Sequence, residues 1–258
     1  MLTHWLVPKI WQGQLRTSQQ VLINGQYRYF NLPVKAGEAV TLTFSGPVVD
    51  TYRPESGPLE VVKETSHLLV VNKSTGIKTH PNQPGEGGTL MNWVADFLQP
   101  HAPYITHRLD MATSGLLLVA KDPLTQAILN RELGAKTMAR SYTALVPAGL
   151  PAFGTIDAPI GHDPDDKRKR MVTAAGDRAV THFETLSTEN GISRVHLTLE
   201  TGRTHQLRVH LAHLGFPIIG DPLYSKQSAA RLMLHATDLT LVPPMSDVPM
   251  TLHSPAPF

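Results

Sequence analysis

Two hydrophobic patterns along the chain together predict an α+β fold. Continuous apolar runs at 68–71 and 116–120 are too short for typical helices and indicate buried strands. Alternating apolar and polar positions at 139–146 and 195–199 are typical of strands with one buried face. Because single helices interleave with these strands, we expect one large mixed, mostly antiparallel sheet with helices packed on it.

Three segments carry the spacing or capping signals of helices. Residues 89–98 have apolar side chains at helical spacing. Asp122, followed by a proline, predicts the N-cap of a second helix, which Gly134 should end. A third helix should begin at a Thr204 cap and close at Gly215.

The N-terminal part predicts a small unit ahead of a larger one. Asn24-Gly25 favours a hairpin turn because both residue types tolerate positive φ. A strand is expected at 39–44, and residues 45–58 are rich in proline and glycine, as domain connectors often are. We therefore predict two domains, at 1–50 and 58–258.

Composition narrows the class of protein. The chain has 258 residues, 41% of them hydrophobic, which is enough for a substantial core. It has no cysteine, so disulfides and thiolate metal sites are excluded and the reducing cytoplasm is the expected location. There is no run of about 20 apolar residues and no signal-peptide pattern, so we expect neither membrane insertion nor secretion. A net charge of +2 is too small by itself to indicate nucleic-acid binding.

The strongest candidate for chemistry is the stretch at 107–121. Asp110 lies at a polar bend, two residues after Arg108, and the bend leads directly into the apolar run at 116–120. A rigid strand can hold such a carboxylate as a reactive group. The alternative is an ordinary turn in which Asp110 accepts local backbone hydrogen bonds and Arg108 is a surface charge.

Two further clusters leave alternatives open. The basic run at 167–170 follows an acidic stretch and is either a solvated loop or a contact for phosphates. Four histidines suggest a metal site, but no HExxH pattern or matched carboxylate accompanies them, so we expect no metal; they are His205, His210, His213 and His235.

Several colinear segments resemble one enzyme family. Residues 107–117 read HRLDMATSGLL and are similar to the HRLDxxTSGLL signature of the RluA-type pseudouridine synthases. Further segments resemble that family, so that the likeness extends over roughly 58–258; they lie at 74–81, 139–146, 201–215 and 232–241. The resemblance implies the pseudouridine synthase catalytic fold and the isomerisation of uridine to pseudouridine in ribosomal or transfer RNA. It also implies an enzyme that is monomeric and uses no cofactor.

The N-terminal unit resembles part of a small RNA-binding fold named after a ribosomal small-subunit protein. Its helical segment, around 5–21, is short and carries little of the basic helix of that fold. We therefore expect a truncated, RNA-binding-like domain in front of the catalytic one.

The family resemblance also implies roles for individual residues. Asp110 corresponds to the catalytic carboxylate, as a nucleophile or as an aid to proton removal, and Arg208 to the arginine that pairs with it and keeps it ionised. Tyr142 would stack on the uracil and accept the C5 proton, and Leu234 would pack beneath the base. Arg108 would fill the gap left by a flipped uridine or clamp the backbone, unless it is only a salt-bridge partner. Further substrate contacts are expected from His107, Thr113, Arg203 and His205.

Two other functions stay open. An RNA-binding or assembly factor could keep the fold without the chemistry, although the complete set of Asp110, Tyr142 and Arg208 argues against it. A hydrolase could use an aspartate with nearby histidines to activate water. A nucleosidase would release free uracil and a nuclease would usually need a metal, so the products distinguish these possibilities.

Overall fold

The computed structural model describes residues 2–29, 31–43 and 52–258. The helices in these ranges are α1 Lys9–Thr17, α2 Leu90–Phe97, α3 Pro123–Ala135 and α4 Gln206–His213. The strands are β1 Val21–Ile23, β2 Gln26–Tyr27, β3 Val40–Leu42, β4 Val61–Glu64, β5 Leu68–Lys73, β6 Tyr104–Ile105, β7 Ser114–Ala120, β8 Ala139–Pro147, β9 Phe153–Asp157, β10 Ile160–His162, β11 Arg170–Val172, β12 Val180–Glu189, β13 Ile192–Leu199, β14 Leu234–Leu241 and β15 Met250–His253. None of these helices is long and apolar enough to cross a membrane.

Ten of the described strands form one sheet. Its order is β4-β5-β7-β14-β8-β13-β12-β9, with β6 beside β7 and β15 beside β14. The pairings in this sheet are antiparallel except that of β7 with β14, which is parallel. The predicted large mixed, mostly antiparallel sheet is confirmed.

The continuous apolar run of β7 is explained by burial on both faces of the sheet. Leu117 and Val119 belong to the hydrophobic cluster on one face, and Leu116 and Leu118 belong to a second cluster that includes Leu129 of α3. A strand covered on both sides needs apolar side chains at every position. The first cluster also contains side chains of α2, α4, β8 and β14, so it forms the floor under the site described below.

Gly115 allows β7 and β14 to approach each other closely. Its φ is 114°, and a Cβ atom at this position would lie 2.3 Å from the carbonyl oxygen of Ala236. A larger residue would therefore push the two strands apart. Because the polar bend with Asp110 directly precedes β7, this contact brings the bend close to Leu234 at the start of β14.

Two predicted helices are confirmed, and one of them ends differently. Residues 89–98 contain α2, which Thr89 and Asn92 cap reciprocally. The carboxylate of Asp122 accepts a hydrogen bond from the third residue of α3, as expected of an N-cap. The predicted end at Gly134 is wrong, because the left-handed residue that closes α3 is Lys136, with φ at 60°.

The N-terminal unit is a three-stranded sheet beside a short helix. The predicted turn at Asn24-Gly25 is confirmed, with φ values of 51° and 78°. The helix α1 is shorter than the segment expected around 5–21. Apolar side chains of the unit share a cluster with α3; they are Leu2, Val7, Leu15, Val21 and Ile23, packed with Leu124 and Ile128.

The predicted connector lies partly outside the described residues. Positions 44–51, with the expected end of the third N-terminal strand and the first half of the predicted connector, are not described. The division into domains at 1–50 and 58–258 therefore stays a prediction.

Candidate active site

The bend that carries Asp110 is held by the segment after β5. The amide of Thr113 donates to the carbonyl oxygen of Asp110 at 3.1 Å and closes a turn. The amide of Gly76 donates to the carbonyl oxygen of Met111 at 2.8 Å. Two hydroxyls of the same segment bind neighbouring carbonyls at 2.7 Å, Thr75 that of Ala112 and Thr79 that of Leu109. The bend is thus fixed by backbone contacts on both sides of Asp110.

Lys73, at the end of β5, lies beneath this bend and is 1% exposed. Its ammonium donates to the carbonyl oxygens of Ser74 and Ile77, each at 2.8 Å, and of Met111 at 3.2 Å. Burial lowers the pKa of Lys73 to about 7, although the nearby Asp110 favours the charged form. This lysine therefore joins the segment after β5 to the residue that follows Asp110.

Arg208 of α4 reaches Asp110 from the opposite side. Its Nη1 donates to Oδ2 of Asp110 at 3.2 Å, which agrees with the expected ion pair. The same guanidinium makes a second and closer pair with Asp221, from Nε to Oδ2 at 2.7 Å and from Nη2 to Oδ1 at 2.8 Å. The side chain of Asp110 is 22% exposed and that of Asp221 is fully buried. One arginine is therefore shared by two carboxylates.

His205 precedes α4 in an unusual backbone conformation. The predicted cap at Thr204 is wrong, because the residue at the helix start is His205, with φ at 59°. This left-handed conformation costs about 1 kcal/mol or more for a residue with a Cβ atom. It brings Nε2 of His205 to 3.8 Å from Oδ2 of Asp110 and Nδ1 to 3.0 Å from the Tyr224 hydroxyl. Burial lowers the pKa of His205, which favours a neutral ring.

Tyr142 and Leu234 extend the site across the sheet. They lie on the neighbouring strands β8 and β14, where Leu234 pairs with Ala144 and Tyr142 with Ala236. Both side chains are buried and belong to the cluster under the site. Burial raises the pKa of the Tyr142 hydroxyl, so the side chain is a neutral phenol at physiological pH.

A single cavity of about 550 Å³ connects these side chains. This volume falls within the range of small-molecule sites. The nine residues that the sequence analysis selected all line it, and they are His107, Arg108, Asp110, Thr113, Tyr142, Arg203, His205, Arg208 and Leu234. The structure therefore brings together residues that are up to 127 positions apart in the chain.

The predicted substrate contacts differ in their surroundings. The Nε2 atom of His107 accepts a hydrogen bond from Leu118 N at 3.2 Å, while its buried Nδ1 has no partner among the described residues. Burial lowers the pKa of His107 to about 3, so the ring is neutral and Nδ1 carries the proton. Arg108 is exposed at the rim and forms no ion pair within the described part of the chain. Arg203 is also at the rim, where its Nε donates to the carbonyl oxygen of Arg178 at 3.0 Å.

Three residues of the site were missed by the sequence analysis. Asp221 and Tyr224 lie in a turn with no hydrophobic period, so no pattern singled them out. The ring of Tyr224 lies 5.2 Å from the guanidinium carbon of Arg208. Arg140 lines the cavity, and its guanidinium has no hydrogen-bond or ion-pair partner among the described residues. The basic character of Arg140 in the Tyr142 segment was a signal that could have revealed it.

The basic run at 167–170 lies in and beside the loop of the β10–β11 hairpin. Arg168 is paired with Asp166 at 2.7 Å. The amide of Arg170 donates to the hydroxyl of Tyr224 at 2.8 Å, so the hairpin is attached to the same tyrosine that contacts His205. The run is therefore adjacent to the site.

Among the described residues, no three His, Asp or Glu side chains are grouped closely enough to hold a metal ion. Three of the four histidines considered as metal ligands have hydrogen-bond partners, and one of them is His205, which is bonded to Tyr224 as described above. His210 is hydrogen-bonded to Thr181 and to a backbone carbonyl, each at 2.9 Å. His235 lies between Ser114 at 2.7 Å and Ser254 at 3.1 Å.

Sequence comparisons connect this chain to enzymes that modify RNA. The family model described as RNA pseudouridylate synthase matches residues 67–213. The model of the RluD ribosomal pseudouridine synthase N-terminal domain matches residues 1–40. An uncharacterized RNA pseudouridine synthase of Bacillus subtilis, YhcT, is 40% identical over 93% of this chain and 82% of its own length. Ribosomal large subunit pseudouridine synthase D of Escherichia coli K12 is 33% identical over 93% of this chain and 80% of its own.

A structural comparison agrees with the sequence matches. The human RNA pseudouridylate synthase domain containing 1 protein superposes with a TM-score of 0.65 and 27% identity, over 79% of this chain and 87% of that one. The fold, the family models and the relatives all point to the same class of isomerase. The chain belongs to the RluA-type family of RNA pseudouridine synthases.

Proposed function

We propose that this enzyme isomerises specific uridines of ribosomal or transfer RNA, with Asp110 as the catalytic carboxylate. The observation that supports this role is the position of Asp110 at one cavity with Tyr142, Arg208 and Leu234. A relative whose name specifies the large ribosomal subunit makes ribosomal RNA the first substrate to test.

The reaction needs a reactive carboxylate beside the sugar and the base. The N1–C1′ bond of uridine breaks, the uracil turns, and C5 bonds to the same C1′. The proton on C5 leaves and N1 gains one, so atoms and electrons balance without a redox step. Asp110 acts either as a nucleophile or by assisting proton removal, and both roles need the ionised form. The guanidinium of Arg208 donates a hydrogen bond to the carboxylate of Asp110 and orients it.

Tyr142 and Leu234 hold the uracil in the proposed reaction. The ring of Tyr142 offers an aromatic face to the base, and Leu234 packs against it and helps to exclude water. Exclusion of water matters because water would hydrolyse a loosened glycosyl group. The hydroxyl of Tyr142 is protonated at neutral pH, so it accepts the C5 proton only while it passes its own proton onward.

A uridine that is stacked in RNA has to flip out before it enters the cavity. Arg108 is suited to fill the gap or bind the backbone, because it is exposed and has no ion pair within the described ranges. The substrate contacts of this proposal come from residues that line the same cavity, namely His107, Thr113, Arg203 and His205.

The proposal includes a monomeric enzyme in the cytoplasm, with an RNA-binding-like unit at 1–50 ahead of the catalytic domain at 58–258. The family resemblance supports the monomer, and the cysteine-free sequence supports a reducing location. Light scattering at micromolar concentration tests the oligomeric state, and a mass of twice 28.3 kDa would contradict it.

The test of the proposed function is the product formed from transcripts of ribosomal and transfer RNA. Wild type should convert uridine to pseudouridine without free uracil or strand cleavage, as measured by nucleoside chromatography after complete digestion. Asp110→Asn should abolish conversion and keep RNA binding. Asp157→Asn removes an exposed carboxylate from β9, outside the cavity, and should behave as wild type. Substantial conversion by Asp110→Asn would refute its role, and free uracil would identify a nucleosidase.

A further inference from the structure

We propose that Asp221 is a positioning residue of this enzyme, which orients Arg208 toward Asp110 and offsets its charge. The inference rests on the proposed role of Asp110, because Asp221 itself does not line the cavity. Asp221 acts on the reaction only through the arginine that it shares with Asp110.

The geometry divides the guanidinium between the two carboxylates. Asp221 occupies the side of Arg208 that carries Nε and Nη2, at 2.7 and 2.8 Å. Such a two-point pair defines the orientation of the planar guanidinium, whereas a single contact does not. The remaining nitrogen, Nη1, then points to Oδ2 of Asp110 at 3.2 Å. The two shorter contacts to Asp221 therefore determine the direction in which Nη1 points to Asp110.

Asp221 is itself held rigidly. Its Oδ1 accepts hydrogen bonds from the amides of Leu223 at 2.9 Å and Tyr224 at 3.2 Å. The preceding Gly220 has φ at 75°, and a Cβ atom there would lie 2.0 Å from the carbonyl oxygen of Arg231. The turn thus places a fully buried carboxylate in one orientation. The ring of Tyr224 packs against the guanidinium of Arg208 at 5.2 Å and completes this support.

The charges in this cluster give Asp221 a second effect. A lone Arg208–Asp110 pair would be neutral overall, and Arg208 would bind strongly to the carboxylate that has to react. Two aspartates on one arginine leave a net charge of −1, with the stronger pairing directed to Asp221. Burial favours the neutral form of His205, so this ring does not cancel the remaining charge. Arg208 therefore holds Asp110 less tightly than it holds Asp221.

The variant Asp221→Asn separates positioning from a purely structural role. Asparagine retains an oxygen at the Oδ1 position for the amides of Leu223 and Tyr224, so the turn remains capped. It replaces the Oδ2 acceptor of Arg208 Nε by an amide NH2 group and removes the negative charge, so the two-point ion pair is lost and at most one weaker hydrogen bond, to Nη2, is kept. The probe is the ribosomal or transfer RNA transcript that the wild-type chain modifies. We expect the single-turnover rate to fall by about 10- to 100-fold, because small misplacement of reacting groups costs about that much. The RNA dissociation constant should change by less than about twofold.

Asp238→Asn is the matched control. Asp238 is a partly buried carboxylate outside the cavity, where it accepts hydrogen bonds from Ser141 at 2.6 Å and His253 at 2.7 Å. This variant loses the same charge from a carboxylate of β14 and should keep the wild-type rate. A rate for Asp221→Asn equal to that of the control would overturn the inference.

A second variant covers the case in which Asp221→Asn does not fold. Asp221→Glu keeps the charge but displaces the guanidinium by the length of a methylene group, so the rate should fall while RNA binding persists. A folded Asp221→Glu protein with the wild-type rate would overturn the positioning role. Full activity of Asp110→Asn would instead overturn the proposed function, so the two failures are distinguishable.

Discussion

Lys73 supports the reactive bend from below, and Lys73→Met should change how the stability of the protein depends on pH. Lysine and methionine have similar length, so the substitution removes the ammonium while it fills most of the space. Three hydrogen bonds to the carbonyl oxygens of Ser74, Ile77 and Met111 are lost. The amide of Gly76 still binds the Met111 carbonyl oxygen, so the bend should persist.

The sign of the pH effect follows from the lowered pKa of Lys73. Its ordinary pKa is 10.5 and its pKa in the folded protein is about 7. Between these values the unfolded chain binds more protons than the folded one, so this residue makes the protein more stable as the pH rises. The lowered pKa of Lys73 reduces the free energy of unfolding by about 4 kcal/mol at pH 7 and by about 1 kcal/mol at pH 10. The free energy of unfolding of wild type relative to Lys73→Met should therefore rise by about 3 kcal/mol over this range.

Urea unfolding at pH 7, 8.5 and 10 measures this difference. Lys63→Met removes an exposed ammonium from the neighbouring strand β4 and controls for the change in net charge. If the difference in the free energy of unfolding between wild type and Lys73→Met stays constant from pH 7 to 10, the reasoning is refuted. It would mean that the ammonium of Lys73 is in contact with water or with a further negative charge, so that burial does not lower its pKa.

Three further predictions concern other groups. Tyr142→Phe should still bind RNA that contains 5-fluorouridine, but on RNA with ordinary uridine it should stall before product release because the C5 proton is not removed; rapid normal turnover of that RNA would exclude the proton-transfer role. Neutralising 167–170 should flatten the salt dependence of RNA binding if the run contacts phosphates, and an unchanged slope would indicate a solvated loop. Burial lowers the pKa of His235 from 6.5 to about 4, so its contribution to stability is complete above pH 6.5 and is lost as the pH falls toward 4. Urea unfolding measures this effect. Between pH 7 and pH 4.5 the free energy of unfolding should fall by about 2 kcal/mol more in wild type than in His235→Gln, and an equal fall in both proteins would contradict this.

The parts of the fold that sequence could predict are those with a local physical cause. Both faces of β7 are buried, so its apolar run at 116–120 indicated a strand without further information. The Asn24-Gly25 turn was predictable because its two positive φ values need residues of that kind. The residues of the cavity were selected through the family resemblance, since periodicity alone left Asp110 as an ordinary turn residue.

The rest depends on contacts between distant segments. Nothing in the sequence indicated that Asp221 is the closer partner of Arg208, because the turn that joins them carries no periodic pattern. The start of α4 was misplaced by one residue, since the tertiary structure holds His205 in a left-handed conformation that propensity disfavours. The packing of the N-terminal unit on α3 also results from side chains that meet only in the folded chain.

The most direct test of the central claim is a map of pseudouridines in ribosomal and transfer RNA by carbodiimide-dependent reverse transcription. The map compares cells that lack this protein with the same cells carrying wild type or Asp110→Ala. We predict that at least one site is lost on deletion, is restored by wild type and is not restored by Asp110→Ala. Restoration of that site by Asp110→Ala would contradict the catalytic role of Asp110. A map without any responding site would contradict the proposed substrates and favour an RNA-binding factor.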